Sequence, residues 1–326
     1  MTTAACVAAT LAGCGSASAA HPGASESAAS GSSRSATTTA SATQTSAGGA
    51  ATRTAAALRR RLAARAPVDH YPAALTPHWQ VISTVRGRPA LWIERRSGVT
   101  LVRIDQRLAH IALHAGAADP GGTGWRYGDH VAGRELHHLI LAFNGAFKLN
   151  TGSGGFSSFG HTAVPLAAGR ASIVTYRDGI TDIGVWRAGV PAHARPVASV
   201  RQNLGLLVDG GNAVATSQSC GIACWGATIG GASVVARSGL GIQRNGRLIW
   251  AAGSDLSVSQ LAGAMAGVGV QRGLELDINP DWVAGYLYVH RRHAGLTSVP
   301  VVPGQYGIVG HLLAPYSRDF FTVLSN

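Results

Sequence analysis

Short apolar segments separated by glycine and turn residues fill the chain from about Val68 onward, and this texture restricts the fold more than any other feature. Segments such as "GVTLVRID", "ASIVTYRDG" and "GRLIWAAG" are rich in β-branched and aromatic residues, which favour strands. Asp178-Gly179 and Asn245-Gly246 are residue pairs that permit positive φ in tight hairpins. The sequence therefore predicts many strands, most of them antiparallel.

The clearest helix is predicted at residues 258–268. Ser257 and Gln260 form the pattern of a capping box. Apolar residues recur at spacings of three and four after it, at Val258, Leu261, Ala262, Met265 and Val268. Because helical patterns are few, we expect an α+β domain with a mixed, largely antiparallel twisted sheet and a few packed helices.

The first 66 residues have a different composition from the rest of the 326-residue chain. Residues 1–14 resemble a signal peptide ending in a lipobox, Leu11-Ala12-Gly13-Cys14, and residues 15–66 form a Ser/Ala/Thr-rich stretch ending in a short basic helix. Such a stretch buries too little apolar surface to offset its conformational entropy, so we expect a disordered tether. Residues 67–326 form the predicted folded domain.

Cys14 is the expected lipid-bearing residue, which predicts an extracytoplasmic protein anchored to the bacterial cell membrane. The alternative is a disordered Ala-rich leader whose two cysteines are incidental. The sequence contains no apolar run of about 18 residues, so no spanning helix is expected.

The formal net charge of +12 is divided between the two parts of the chain. Residues 1–66 hold six arginines and one acid, so +5 belongs to the tail and +7 to the domain. No aromatic-rich basic motif that could stack bases is present, and we expect no nucleic-acid partner. A membrane surface near the tail and an anionic small substrate at the domain both fit this charge.

Cysteine and histidine spacing argues against a metal site. Cys220 and Cys224 are expected to form a small disulfide loop, with reactive redox cysteines as the alternative, because no second ligand pair for zinc lies nearby. The thirteen histidines include no His-Glu-x-x-His pattern, and Gly-x-Ser-x-Gly is also absent. We predict no metal ligands and no cofactor, and the sequence leaves a metal requirement open.

Three segments carry polar groups beside glycine at the ends of predicted strands: "LAFNGAFK" (141–148), "ARSGLGI" (236–242) and "RGLELDINPDW" (272–282). Glycine lets a backbone approach a ligand closely. In the third segment Glu275 and Asp277 share one strand face, with Cα atoms roughly 6.5 to 7 Å apart. That separation suits an acid and base pair.

Read in order, these segments resemble the phosphodiester glycosidase family, whose domains act on N-acetylglucosamine-1-phosphodiesters. The family's Asn-Gly-Gly-Phe, Arg-Thr-Ala-Ile-Gly and Leu-Asp-Gly-Gly-Gly-Ser segments are similar to residues 144–147, 237–241 and 276–277 here. "LLVDGG" (206–211) resembles a further segment of the family, and "DPGGTGW" (119–125) and "YSRDFF" (316–321) resemble its actinobacterial lipoprotein branch. The resemblance covers about residues 80–322.

This resemblance implies a hydrolase that cleaves a sugar 1-phosphodiester or a related envelope glycan. Asp277 is the leading catalytic carboxylate, with Glu275 as the second, and Arg237 is the phosphate-binding cation. Further residues implied in substrate binding are Asn144, Gly145, Lys148 and Asn279. The implied partner is a phosphorylated or anionic glycan.

Three alternatives remain open at this point. Glu275 can be structural and pair with Arg272 or Arg237. Residues 278–281 read Ile-Asn-Pro-Asp where the family has Gly-Gly-Gly-Ser, which favours a catalytically silent module that binds an anionic wall glycan. A glycosidase acting on an unphosphorylated glycan would not need Arg237.

Overall fold

The computed structural model describes residues 78–291, 295–306 and 309–326. The predicted signal-peptide segment with Cys14, the tether and the first residues of the predicted domain lie outside the described residues. Among the helices within these ranges, none has the length and apolar character needed to cross a bilayer.

Strands dominate the described part of the chain. In chain order they are β1 (Gln80–Val85), β2 (Arg88–Arg96), β3 (Val99–Ile104), β4 (Ala109–His114), β5 (Leu139–Asn144), β6 (Phe156–Ser158), β7 (His161–Val164), β8 (Ala171–Tyr176), β9 (Thr181–Val185), β10 (Val197–Gln202), β11 (Leu206–Asp209), β12 (Asn212–Ala213), β13 (Val235–Gln243), β14 (Leu248–Leu256), β15 (Val270–Glu275), β16 (Gly285–Arg291), β17 (Gly295–Pro300) and β18 (Phe320–Ser325).

These strands form three sheets. The largest has eight strands in the order β1-β2-β3-β14-β13-β15-β11-β12. The other two have five strands each, in the orders β7-β6-β10-β8-β9 and β17-β16-β5-β18-β4. Every pairing between these strands is antiparallel.

Helices are fewer than an α+β domain requires, and that predicted class was wrong. In the described ranges the α-helices are α1 (Thr216–Ser219), α2 (Ile222–Trp225) and α3 (Val258–Gly267), and the first two are single turns. The short 3-10 helices are Gly133–His137, Leu149–Thr151, Ile229–Gly231 and Val309–Leu312. Apolar runs pair with one another as strands rather than receiving a helical layer, so the fold is β-rich with antiparallel sheets.

Helix α3 confirms the strongest helical pattern in the sequence. Ser257 Oγ accepts a hydrogen bond from Gln260 N at 3.2 Å, and Ser257 N donates to Gln260 Oε1 at 2.8 Å, which completes the capping box. The apolar face of α3 packs on the eight-stranded sheet. A Cβ on Gly241 would lie 2.9 Å from Met265 Cε, so glycine in β13 permits this close approach.

An apolar core joins the eight-stranded sheet to the sheet that contains β5. Phe143 stacks between Trp250 and Phe321, with ring centroids 5.3 and 5.5 Å apart. All three side chains are almost completely buried. This packing fixes the end of β5 beside β13 and the residues that follow β15.

Candidate functional site

The backbone of Asp277 lies where the three sequence segments meet. Asp277 N donates to Gly145 O at 3.1 Å, and Asp277 O accepts from Ser238 N at 3.1 Å. Ser238 Oγ also donates to Asp277 O at 2.9 Å. Residues from β5, β13 and the end of β15 therefore converge on this one position, two residues after β15 ends.

The Asp277 carboxyl is buried, with the residue 5% exposed, and both of its oxygens accept hydrogen bonds. Arg318 Nη2 lies 3.0 Å from Oδ2, and Asn279 N lies 2.9 Å from Oδ1. Burial raises the pKa of Asp277 to about 6 although Arg318 and the Asn279 N–H act in the opposite direction. Such a carboxyl exchanges protons near neutral pH, as a catalytic acid or base must.

Arg318 anchors a small cluster around this carboxyl. Its Nη2 also donates to Ala146 O at 2.8 Å, and its Nη1 lies 3.5 Å from Asp119 Oδ2. The guanidinium carbon lies 4.3 Å from the Trp282 ring centroid, and Lys148 Nζ lies 4.9 Å from the same centroid. We call Asp119, Lys148, Asp277, Trp282 and Arg318 the Arg318 cluster.

The sequence did not single out three residues of the Arg318 cluster as candidate site residues: Arg318, Asp119 and Trp282. Each lies in a segment that was noted for other reasons, "YSRDFF", "DPGGTGW" and "RGLELDINPDW" respectively. The available signal was a charged or aromatic residue inside a segment already singled out from the sequence.

Asn144 and Gly145 form the β5 side of the site. Asn144 Nδ2 donates to Ser238 Oγ at 2.8 Å and to Gly145 O at 2.9 Å. Its Oδ1 is buried and has no hydrogen-bond partner among the described residues. A Cβ on Gly145 would lie 2.2 Å from Asp319 Oδ2, and Asp319 itself pairs with buried Arg201 at 2.8 Å. The backbone path here therefore requires glycine.

Glu275 and Arg237 form a buried ion pair beside the site. Arg237 Nη1 lies 2.8 Å from Glu275 Oε1, and Arg237 Nε donates to Leu256 O at 2.9 Å. Burial raises the pKa of Glu275, opposed by Arg237, and the nearby Asp277 charge raises it further. Of the two pairings considered from the sequence, the one with Arg237 is present, while Arg272 pairs with Asp182 at 2.7 Å.

The remaining predicted residues surround this centre in different ways. Lys148 is exposed and reaches the cluster through Trp282. Asn279 uses its backbone N–H on Asp277, while its side-chain Oδ1 accepts from Asp281 N at 2.9 Å and shapes the turn. The predicted residues thus form two groups, an Asn144–Gly145–Asp277 centre and a Glu275–Arg237 pair next to it.

A cavity of about 700 Å³ adjoins the residues that follow Asp277. The wall of this cavity includes Ile278, Asn279 and Pro280. Tyr306, which is 80% exposed, also lines it. Small-molecule sites commonly have volumes of roughly 300 to 1,000 Å³, so the cavity is large enough for a small ligand.

The disulfide between Cys220 and Cys224 is confirmed, with Cα atoms 5.6 Å apart. It closes the short connection between α1 and α2. Gly226, two residues later, packs against Phe147 and Ile278, where a Cβ would lie 2.4 and 3.2 Å from their side chains. The disulfide loop therefore lies next to the segment that lines the cavity.

Within the described ranges, no group of three or more His, Cys, Asp or Glu side chains is arranged to hold a metal ion. The acids of the site instead face arginines, at Asp277 with Arg318 and at Glu275 with Arg237. The protein groups at this site can supply proton transfer and electrostatic stabilisation.

Comparison with known proteins gives distant structural similarities. No protein-family model matches this sequence, and no curated protein is significantly similar to it. The catalytic domain of zebrafish N-acetylglucosamine-1-phosphodiester alpha-N-acetylglucosaminidase, auto-inhibited by its pro-peptide, is 16% identical, with 76% of this chain and 87% of that chain covered and a TM-score of 0.47.

Two bacterial structures are similar at lower scores. A hypothetical protein from Synechocystis is 14% identical, with 78% of this chain and 65% of that chain covered and a TM-score of 0.39. A protein from Burkholderia pseudomallei described as exported is 10% identical, with coverages of 73% and 75% and a TM-score of 0.38. Similarities at this level establish neither a family nor a function.

Proposed function

We propose that the protein is an extracytoplasmic hydrolase that cleaves a sugar 1-phosphodiester or a related envelope glycan, with Asp277 as the reacting carboxyl. The observation that carries this proposal is the buried Asp277 carboxyl, whose pKa is raised to about 6 and whose oxygens are fixed by Arg318 and the Asn279 N–H. The ordered resemblance of three segments to the phosphodiester glycosidase family supports the choice of substrate class.

Hydrolysis at an anomeric carbon needs a carboxyl that protonates the leaving oxygen or stabilises developing positive charge on the sugar. Arg318 favours the ionised form of Asp277 and burial favours the neutral form, so both forms are populated near neutral pH. We assign the charge-stabilising role to Asp277. Its ion pair with Arg318 holds Oδ2 in a fixed position and favours the ionised carboxylate.

Glu275 acts in this proposal through its charge and its position. Its carboxyl is completely buried and bonded to Arg237, and its charge is coupled to that of Asp277. The Asp277 charge raises the pKa of Glu275, so we expect the Glu275–Arg237 pair to respond to the ionisation of Asp277. Direct proton transfer by Glu275, and a direct contact between Arg237 and a substrate phosphate, stay predictions.

The substrate phosphate is assigned to the exposed side of the Arg318 cluster. Lys148 is exposed, and a lysine ammonium is a good point-charge partner for phosphate oxygens. Asn144 offers an oxygen without a partner among the described residues, which a sugar hydroxyl can satisfy. The sugar itself fits the cavity beside Ile278 and Asn279.

A second candidate is a silent module that binds an anionic wall glycan. It is favoured by the segment Ile278–Asp281, which has no glycine where the family has three, and by the sealed Glu275–Arg237 pair. A glycosidase for an unphosphorylated glycan is a variant of the first proposal. The envelope location and a lipid on Cys14 complete the proposal and depend on the sequence of residues 1–66 alone.

The test compares methyl hexose 1-phosphodiesters with the corresponding methyl glycosides, using full-length protein and measuring the free sugar that is released. Wild type is expected to release sugar, and Asp277→Asn should reduce the rate by about 100-fold or more, the scale of general acid–base and charge-stabilising contributions. Asp281→Asn is the matched control, because Asp281 is exposed in the same turn.

Release of sugar from no substrate, or equal release by Asp277→Asn, would contradict the hydrolase proposal. Binding of the phosphodiester without any release would favour the silent module. Equal rates on the phosphorylated and unphosphorylated substrates would favour the glycosidase variant.

A further inference from the structure

A second cavity, of about 360 Å³, lies at the end of β15 opposite to Glu275. Its walls come from the β3–β4 turn, the β13–β14 turn, the start of β9 and the first residues of β15. Gln271 lines it, and Glu275 lies four residues further along the strand, which is roughly 13 Å at about 3.3 Å per residue. This cavity is therefore separate from the Asp277 site.

The lining of this cavity is strongly cationic, and we call it the arginine cavity. Two acids, Asp105 and Asp182, also contribute to its wall. The cationic side chains that line it are Arg107, Arg195, Arg244, Arg247 and Arg272.

Three carboxylates are paired with four of these arginines. Asp105 is shared, because Arg107 Nε lies 2.8 Å from its Oδ1 and Arg247 Nη2 lies 3.2 Å from its Oδ2. The arginines at 195 and 272 pair with Asp178 and Asp182 respectively, each at 2.7 Å. Among the residues that the structure describes, five guanidinium groups thus meet three carboxylates, an excess of two positive charges at the cavity.

Arg244 accounts for much of this excess. It is exposed in the β13–β14 turn, and its Nη2 lies 3.4 Å from Gln271 Oε1. It forms no ion pair with any residue in the described part of the chain. A phosphate monoester carries about −1.5 to −2 charges near neutral pH and is well matched by guanidinium donors.

Buried Gln106 connects two segments that line the arginine cavity. Its Oε1 accepts from Thr181 N at 2.7 Å, and its Nε2 donates to Gly246 O at 2.6 Å, so it ties β9 to the β13–β14 turn. These two segments are therefore held in a fixed arrangement before a ligand binds, which lowers the entropic cost of binding.

Gln243, another residue of the wall, has a polar atom without a partner among the described residues. Gln243 Oε1 is buried without a hydrogen-bond partner among the described residues, while its Nε2 donates to Val268 O at 2.6 Å. Buried polar atoms are usually hydrogen-bonded, and a sugar hydroxyl is a suitable donor.

We propose that the arginine cavity binds a phosphorylated sugar, with the phosphate on the guanidinium groups and a hydroxyl on Gln243. Its volume lies near the lower end of the range for small-molecule sites, which suits a monosaccharide. This binding function is independent of hydrolysis at Asp277.

Titration calorimetry of the full-length protein with glucose 6-phosphate, and with glucose as the uncharged comparison, tests this site. Glucose 6-phosphate is expected to bind, with an affinity that falls as salt is added. Glucose is not expected to bind. Arg244→Ala should weaken binding by at least about fivefold, whereas Arg244→Lys should keep most of it.

Two further variants locate the binding. Arg88→Ala removes the same charge from an exposed position at the start of β2 and should leave the affinity unchanged, as should Asp277→Asn. The proposal would be overturned by no binding of glucose 6-phosphate, by equal affinity in Arg244→Ala, or by loss of binding in Asp277→Asn, which would place the ligand at the other site.

Discussion

At the scale of single residues, Asp277 combines a buried position with an ion pair and a backbone N–H donor. Its pKa is raised from 3.8 to about 6, so the folded protein binds more protons than the unfolded chain between these pH values. The contribution of Asp277 to the free energy of unfolding should therefore fall as the pH rises from about 4 to 6, by at most roughly 1.4 kcal/mol per pKa unit.

Asp277→Asn cannot titrate and should remove this part of the pH dependence. Between about pH 4 and pH 6, we expect the unfolding free energy of the variant to fall by roughly 1 to 3 kcal/mol less than the unfolding free energy of wild type. Urea unfolding at several pH values measures the difference. The raised pKa of Glu275 acts in the same direction, and its largest cause, burial, is common to both proteins. Parallel curves would therefore contradict the assignment to Asp277.

Some of the residues that meet at Asp277 can be selected from the sequence, and others cannot. Asp277, Asn144 and Gly145 could be selected because each follows an apolar run and lies beside a polar or glycine neighbour in a recognisable segment. The partner of Asp277 could not, because Arg318 is 41 residues away and only the meeting of β5, β18 and the end of β15 brings the two together. Spacing along the chain carries no signal for such a contact.

At the scale of elements, the packing of α3 on the eight-stranded sheet decides whether a glycine can be replaced by alanine, as Gly241 and Gly263 illustrate. A Cβ on Gly241 of β13 would lie 2.9 Å from Met265 Cε of α3 and 2.5 Å from Val270 Cγ1 of β15, whereas a Cβ on Gly263 of α3 would have no atom within 4 Å. The first glycine is required by close packing, and the second only lowers helix propensity.

Gly241→Ala and Gly263→Ala should therefore change stability in opposite directions. We expect Gly241→Ala to lower the free energy of unfolding by about 2 kcal/mol or more, through overpacking, and Gly263→Ala to raise it by up to about 1 kcal/mol. Chemical denaturation of both variants beside wild type measures this. No effect of Gly241→Ala would contradict the close packing at Gly241, and destabilisation by Gly263→Ala would contradict the open space around Gly263.

The elements also show where sequence patterns are reliable. The capping box and the apolar spacing of α3 are local signals, and this helix was confirmed with a difference of one residue at its end. The overall class was wrong because the weight of one clear helix was overestimated against many short strands. Strand order, such as β14 between β3 and β13, depends on long-range pairing that no local pattern encodes.

At the scale of the whole molecule, residues 1–66 are rich in small residues, in contrast to the strand-rich sequence that follows. We propose that Cys14 carries a lipid that holds the domain at the outer face of the cell membrane. Cys14→Ser should then move the protein from the membrane fraction to the soluble fraction of a lipidating bacterial host, since a diacyl anchor supplies most of the membrane affinity. Fractionation and immunoblotting measure this.

Cys6→Ser is the matched control for that experiment, because Cys6 lies in the same leader outside the lipobox. It should leave the distribution unchanged. Equal distribution of wild type and Cys14→Ser would contradict lipidation and favour a leader with incidental cysteines.

We propose that Asp277 promotes attack of water at the anomeric carbon, so that the bond between the sugar carbon and the phosphate oxygen breaks. Hydrolysis of a methyl hexose 1-phosphodiester in ¹⁸O-labelled water, followed by mass spectrometry of the released methyl phosphate, tests it most directly. We predict methyl phosphate without ¹⁸O, formed by wild type and not by Asp277→Asn. Methyl phosphate that contains ¹⁸O would show attack at phosphorus and would contradict the assignment of Asp277 to the sugar.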